Sequence, residues 1–235
     1  MVFLFCDEAL IAINKPAGVS SAHDGARPDE RTLVDMLRHE FDAVWPVHRL
    51  DRDTSGVMVF ARNEDSHRDL SMQFEQRETE KVYHALVKGR PRQNEQVINA
   101  PLLANADRKH RTIVDPARGK AAITHAKILQ PLGPITLMEA RPETGRTHQI
   151  RVHLAMINLP IVCDPLYGDG EPVYLSSLKK GYQFRGREER PLIARLALHA
   201  FCLSLRHPQT GQLLRLEAPY PKDFGAAVKQ IGKLI

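Results

Sequence analysis

His48-Arg-Leu-Asp-Arg-Asp-Thr-Ser-Gly56 runs straight into Val57-Met-Val-Phe60, and the reading of the chain starts from this junction. Nine residues hold two acids, two arginines, a histidine and two hydroxyls, and the apolar run after Gly56 is β-prone. Taken alone, the segment reads equally well as a salt-bridged turn capped by Thr54 and Ser55 or as a reactive loop ahead of a strand. Asp51 and Asp53 are candidates for paired acids, although residues two apart in an extended loop need not share a face.

Outward from this loop, strands dominate. Val2 to Cys6 and Ala9 to Ile13 read as short strands around a turn at Asp7-Glu8, and Asn14-Lys-Pro-Ala-Gly18 ends the pattern. Thr32 is placed to cap a helix with Asp35 three residues on, with Leu33, Met36, Leu37 and Phe41 at helical spacing. Asn63 reads as a second N-cap, with Glu64 and Asp65 in the first turn and Leu70 and Phe74 facing inward. Strands are expected at Val82–Val87, Ile123–Leu129, Ile135–Ala140, Leu196–Leu205 and Gln212–Glu217. The last two are joined by a Pro208-Gln-Thr-Gly211 turn. Thr147–Asn158 reads as a helix capped by Thr147. Pro221 opens a final helix with Phe224, Val228, Ile231 and Leu234 on its apolar face. These elements predict an α+β fold around a mixed, mainly antiparallel sheet, with residues 1–235 as a single domain.

Composition narrows the function classes. The chain has 235 residues, 43% of them hydrophobic and 26% charged, which is ordinary for a globular protein. No apolar run approaches the roughly 20 residues of a membrane span, and the N-terminus lacks a signal-peptide pattern, so a cytoplasmic protein is expected. Three scattered cysteines argue against a disulfide framework and a zinc knuckle, and each reads as a small buried hydrophobe. His148 and His153 are five apart, which does not place two ligands on one helical face, so no metal is expected. The absence of a glycine-rich nucleotide fingerprint or a Walker loop points to no nucleotide cofactor. The net charge of +5 is compatible with a polyanionic partner. Two basic runs, Arg108-Lys-His-Arg111 and Lys179 to Arg190, are candidate phosphate contacts.

Two further segments carry polar chemistry. In Glu143-Thr-Gly-Arg-Thr-His-Gln-Ile-Arg-Val-His153, His148 and Arg151 are three apart and project from one helix face. Arg151 is suited to hold a carboxylate from elsewhere in the fold in a planar, bidentate pair. In Lys81-Val-Tyr-His84, a lone strand tyrosine such as Tyr83 is more often core than catalytic.

Together these segments resemble the RluA-type RNA pseudouridine synthases. His48–Gly56 looks like the signature loop of that family, and Glu143–Leu154 like its second motif. Asn14–Gly18, Lys81–Tyr83, Pro160-Ile-Val-Cys-Asp-Pro-Leu-Tyr-Gly168 and Leu198-His-Ala200 match further blocks in order. The similarity spans roughly residues 2 to 224 and implies the family fold, a mixed sheet with a central cleft. It implies that Asp51 attacks the target uridine and that Arg151 pairs with this aspartate. It also implies that Tyr83 lies against the uracil and Arg49 fills the gap left by the flipped base. His48, Thr54, Arg146, Thr147, His148 and Gln149 then fall on the RNA side.

The resemblance implies an isomerase needing neither cofactor nor metal, since pseudouridine formation neither gains nor loses atoms. Its partner would be ribosomal or transfer RNA, and the enzyme a monomer. Many relatives carry a small RNA-binding domain ahead of the catalytic one. Val2 already begins the catalytic block here, so that domain is not expected, and Tyr174–Pro191 reads as an insertion at the cleft rim. Anomeric attack by Asp51 and a glycal intermediate both remain open. Two other classes stand as alternatives. A glycosidic-bond hydrolase needs a second placed carboxyl, and a non-catalytic RNA-binding protein of the same fold would have lost the nucleophile.

Overall fold

The computed structural model describes residues 1–23, 29–179, 182 and 188–234. The chain forms two compact units, each discontinuous in sequence: Met1–Val82 with His199–Pro219, and Tyr83–Leu198 with Tyr220–Ile235.

The first unit opens with the hairpin β1 (Val2–Cys6) and β2 (Leu10–Lys15), turned by Asp7, whose carboxylate accepts from the Ala9 and Leu10 N–H groups. Helix α1 (Leu33–Arg38) starts in the expected capping box, with Thr32 and Asp35 satisfying each other's backbone N–H. A short β3 (Trp45–Pro46) leads through the polar loop into β4 (Ser55–Ala61), every residue of which is buried. Helix α2 (Glu64–Glu75) begins at Asn63, whose side chain accepts from the Ser66 N–H.

In the second unit, β5 (Glu80–Lys88) pairs antiparallel with β10 (Ile135–Pro142), and β10 pairs with β9 (Ile123–Leu132). The outer strand β6 (Glu95–Asn99) pairs with β9, and β7 (Leu102–Leu103) with β8 (Ile113–Val114) makes a separate ribbon. Helix α3 (Gln149–Met156) is shorter than expected at both ends. Its N-cap is His148, in the left-handed region at φ 55° and without a side-chain cap, so Thr147 does not cap it. It stops because Asn158 turns left-handed (φ 60°), the Leu159 N–H bonding Leu154 O and the Asn158 N–H bonding Ala155 O. A single turn, α4 (Leu175–Leu178), follows. In the basic stretch read as an insertion, residues 180, 181 and 183–187 lie outside the described residues.

The chain returns to the first unit as β11 (Leu198–Arg206) and β12 (Leu213–Glu217), joined by the expected turn with Gly211 at φ 68°. Within that unit β4 pairs antiparallel with β2 and parallel with β11, and β11 pairs antiparallel with β12. The final helix α5 (Lys222–Gly232) belongs to the second unit and buries Phe224, Ala227 and Ile231, spaced to share one face. The fold is therefore α+β with mostly antiparallel pairing. Each unit has its own core: Leu10, Val57, Val59, Leu70 and Leu203 in the first, and Leu86, Met138, Leu154, Val162 and Phe224 in the second. Cys163 and Cys202 are buried, but Cys6 is exposed, contrary to the sequence expectation. No helix among the described residues is long and apolar enough to cross a membrane.

Candidate active site

The loop 47–54 of the first unit is fixed through its main chain. Lys15 is fully buried, and its ammonium donates to Arg52 O (2.8 Å), Thr54 O (2.8 Å) and Pro16 O (3.0 Å). A buried charge is tolerable only when hydrogen-bonded this completely. The Ser21 hydroxyl donates to Leu50 O and accepts from Leu50 N–H, and the Gly18 N–H bonds Arg52 O. The Thr54 N–H closes the turn onto Asp51 O at 3.1 Å. These bonds take backbone groups on both sides of Asp51, which is half-buried, while Arg49 is exposed. Beside the loop lies a cavity of about 300 Å³ lined by Ser20, Ser21, His23, Pro46 and Arg49, among others.

The exit from the loop is equally constrained. Gly56 has φ +120°, and a Cβ there would sit 2.1 Å from Ala200 O, so only glycine allows β4 to meet β11 at this point. Next to it, His199 donates from Nε2 to Ala218 O (3.0 Å) and accepts the Ser55 hydroxyl at Nδ1 (2.9 Å). His48 stacks on Phe74 (centroids 4.5 Å apart), and its Nε2 accepts the Val59 N–H. Burial, helped by the Lys81 charge, pushes its pKa down to about 3, so the ring is neutral at ordinary pH. Arg52 turns to Glu30 at 2.9 Å and to Asp53 at 3.3 Å.

The second unit holds Tyr83 and the 143–153 segment. Tyr83 is half-buried on β5, opposite Ala140, and packs against that unit's core. Gln149, 4% exposed, fills all four of its amide positions. Its Oε1 accepts from Thr144 Oγ1 (2.6 Å) and Arg146 N–H (3.0 Å). Its Nε2 donates to Ile123 O and Thr124 Oγ1, both at 2.9 Å. The buried His153 bonds the same Thr124 hydroxyl and Ala100 O, and burial lowers its pKa. Thr147 is exposed, and Arg146 is half-buried with its Nε on Ala121 O.

Arg151 does hold a carboxylate in a planar, bidentate pair, and that carboxylate is Asp164. Nε meets Oδ2 and Nη2 meets Oδ1, each at 2.8 Å, with both side chains buried. The guanidinium also lies 5.1 Å from the centroid of the Tyr167 ring. The Tyr167 hydroxyl accepts the Thr112 N–H (2.8 Å) and bonds His148 Nδ1 (2.9 Å). His148 and Arg151 thus do share a side, since both reach Tyr167. Asp164, Tyr167 and Lys15 were not singled out as site residues from the sequence. The available signal was an acid and a tyrosine inside an apolar run (Pro160–Gly168), where a carboxylate requires a cationic partner. Among the described residues, no three His, Cys, Asp or Glu side chains are grouped to hold a metal ion.

The chain is similar to known proteins along most of its length. Residues 9–156 match the RNA pseudouridylate synthase family. An uncharacterised RNA pseudouridine synthase of Zymomonas mobilis is 40% identical, over 94% of this chain and 94% of that protein. The ribosomal large subunit pseudouridine synthase D of the same organism is 34% identical, over 97% of this chain and 72% of that protein. Among solved structures, human RNA pseudouridylate synthase domain containing 4 matches with a TM-score of 0.75 at 26% identity, covering 98% of this chain and 92% of that one. Fold and matches define an isomerase that rebuilds a glycosidic bond within RNA. The chain belongs to the RNA pseudouridylate synthase family, in its RluA-like branch.

Proposed function

We propose that this enzyme converts uridine to pseudouridine in large-subunit ribosomal RNA, with Asp51 as the attacking carboxylate. The observation that carries the reading is the intact His48–Gly56 loop, with backbone clamps on either side of Asp51. The target class follows the relative named ribosomal large subunit pseudouridine synthase D. The enzyme acts as a monomer in the cytoplasm.

In the reaction, the bond from ribose C1′ to uracil N1 breaks and the base turns within the pocket. A bond forms from C1′ to C5, the C5 hydrogen leaves as a proton, and N1 gains one. A stacked uridine is out of reach, so the nucleotide is flipped out at a cost of a few kcal/mol. Arg49, exposed on the loop, occupies the vacated stack, and Tyr83 offers its ring to the uracil. Arg151 favours the ionised form of Asp51. Arg146, Thr147 and His148 contact the RNA. His48, Thr54 and Gln149 serve the RNA side indirectly, holding the segments that make contact. The burial of Thr54 and Gln149 and the bonding of His48 and Gln149 support this division.

The test is tritium release from RNA labelled at uridine C5, taken from cells lacking the gene and separated into ribosomal and transfer fractions. Release from the large-subunit fraction alone is expected. Release only from transfer RNA would overturn the target, and release from neither would overturn the activity.

A further inference from the structure

We propose that the cavity beside the 47–54 loop is a second nucleotide subsite, which takes the unstacked base of an RNA residue near the target uridine. This rests on the reading of the protein as an enzyme that flips a base out of RNA.

The cavity is separate from the reacting group. It belongs wholly to the first unit, and Leu50 and Arg52 line it while Asp51, between them, does not. Its volume of about 300 Å³ lies at the low end of small-molecule sites, which run from about 300 to 1,000 Å³. Its walls are held without a ligand. Ser20 O accepts the Leu33 N–H at 2.9 Å, Ser21 is bonded both ways to Leu50, and Pro46 pairs with Phe60 on β4. A preformed pocket binds without the cost of ordering its walls.

The lining favours a base over a phosphate. Ala22, Pro46, Val47 and Leu50 supply apolar surface, against which an anion would lose its water without compensation. Two of the basic groups are already engaged: Arg52 with Glu30 and Asp53, and His23 with Asp35. His48 offers a single fixed hydrogen-bonding function. Its ring is neutral and its Nε2 accepts the Val59 N–H at 3.0 Å, so the proton sits on Nδ1. That N–H has no partner among the described residues, and His48 lines the cavity. The ligand atom that meets it must be an acceptor, such as a base carbonyl oxygen or an unprotonated ring nitrogen. This contact is additional to the holding role of His48.

Arg49 links the cavity to the RNA. It lines the cavity, is exposed, and has no acidic partner among the described residues. With Arg49 in the gap left by the uridine, a base bordering that gap has lost a stacking neighbour, and the cavity adjoins the same side chain.

The experiment is filter binding of the shortest cellular RNA fragment that the enzyme retains, with single abasic sites stepped along it. Wild type is compared with Ala22→Phe, whose added ring fills the cavity. For wild type, loss of one base other than the target uracil is expected to weaken binding about tenfold, the scale of one stacked base. Ala22→Phe should bind the intact RNA about tenfold more weakly. The same abasic site should then weaken it no further than about twofold, because base and cavity are lost as one contact. Val47→Phe fills the cavity from the loop side and repeats the comparison should Ala22→Phe fail to fold. The proposal is overturned if no abasic site besides the target's own weakens wild-type binding more than about twofold, or if the two losses multiply. Binding needs no turnover, so absence of tritium release would strike the reading of the reaction and leave this cycle to judge the subsite.

Discussion

The loop bearing Asp51 and the segment bearing Arg151 are held by opposite means. The loop is gripped by its backbone: Lys15, Ser21 and Gly18 take the main-chain groups of Leu50, Arg52 and Thr54. The 143–153 segment is gripped by its side chains: Gln149 and His153 fill their polar atoms, and Arg151 its Nε and Nη2, with partners inside the second unit. A backbone grip leaves side-chain identity to chemistry, whereas a side-chain grip turns polar residues into framework. A polar residue in the first segment is thus a better guide to reactivity than one in the second.

The largest expected effect attacks the backbone grip. Lys15→Met removes three hydrogen bonds to main-chain carbonyls from a fully buried position and should cost about 3–5 kcal/mol in urea unfolding. A cost below about 1 kcal/mol would mean that the loop holds itself. Gly56→Ala comes next, at roughly 3 kcal/mol, because its Cβ would overlap Ala200 O. Thermal melting of the variant measures this, and an unchanged Tm would refute the close strand contact.

Two smaller effects sharpen the contrast. Gln149→Ala should lose about 2 kcal/mol of stability, while the exposed neighbour Thr147→Ala stays within about 0.5 kcal/mol. Equal costs would erase the distinction between framework and surface in this segment. The effect at His48 is silent at neutral pH and appears only in acid. Its folded pKa of about 3 lies below the ordinary histidine value of 6.5, so the unfolded chain binds a proton that the folded one refuses. The His48 contribution to stability is complete above pH 6.5 and is lost as pH falls towards 3. His48→Phe should flatten the stability–pH curve in that window, and a curve as steep as wild type would place the titration elsewhere.

Legibility followed the range of the forces involved. Helix starts at Thr32 and Asn63 were readable because caps bond within three residues. Strands β4, β9, β10 and β11 were readable from apolar runs and alternation. Strand β6 was not, because Glu95-Gln-Val-Ile-Asn99 is largely exposed and its pairing with β9 is a tertiary event. The start of α3 was misplaced because His148 adopts a left-handed conformation that no local signal announces. In the site, the sequence marked Arg151 as a bidentate partner but not Asp164 as its carboxylate, thirteen residues away. Lys15 lies in the Asn14–Gly18 segment, yet its hydrogen bonding depends on Arg52 and Thr54, which only the folded chain brings to it.

The central claim is that Asp51 performs the chemistry while the rest of the loop and its clamps present it. The most direct measurement is tritium release by Asp51→Asn on ribosomal RNA, alongside filter binding of the same RNA. The account predicts no release above background, with Kd within about threefold of wild type, since Asp51 acts on the reacting bond and not on RNA affinity. Turnover by Asp51→Asn near the wild-type rate would contradict it, and so would loss of binding in step with loss of turnover.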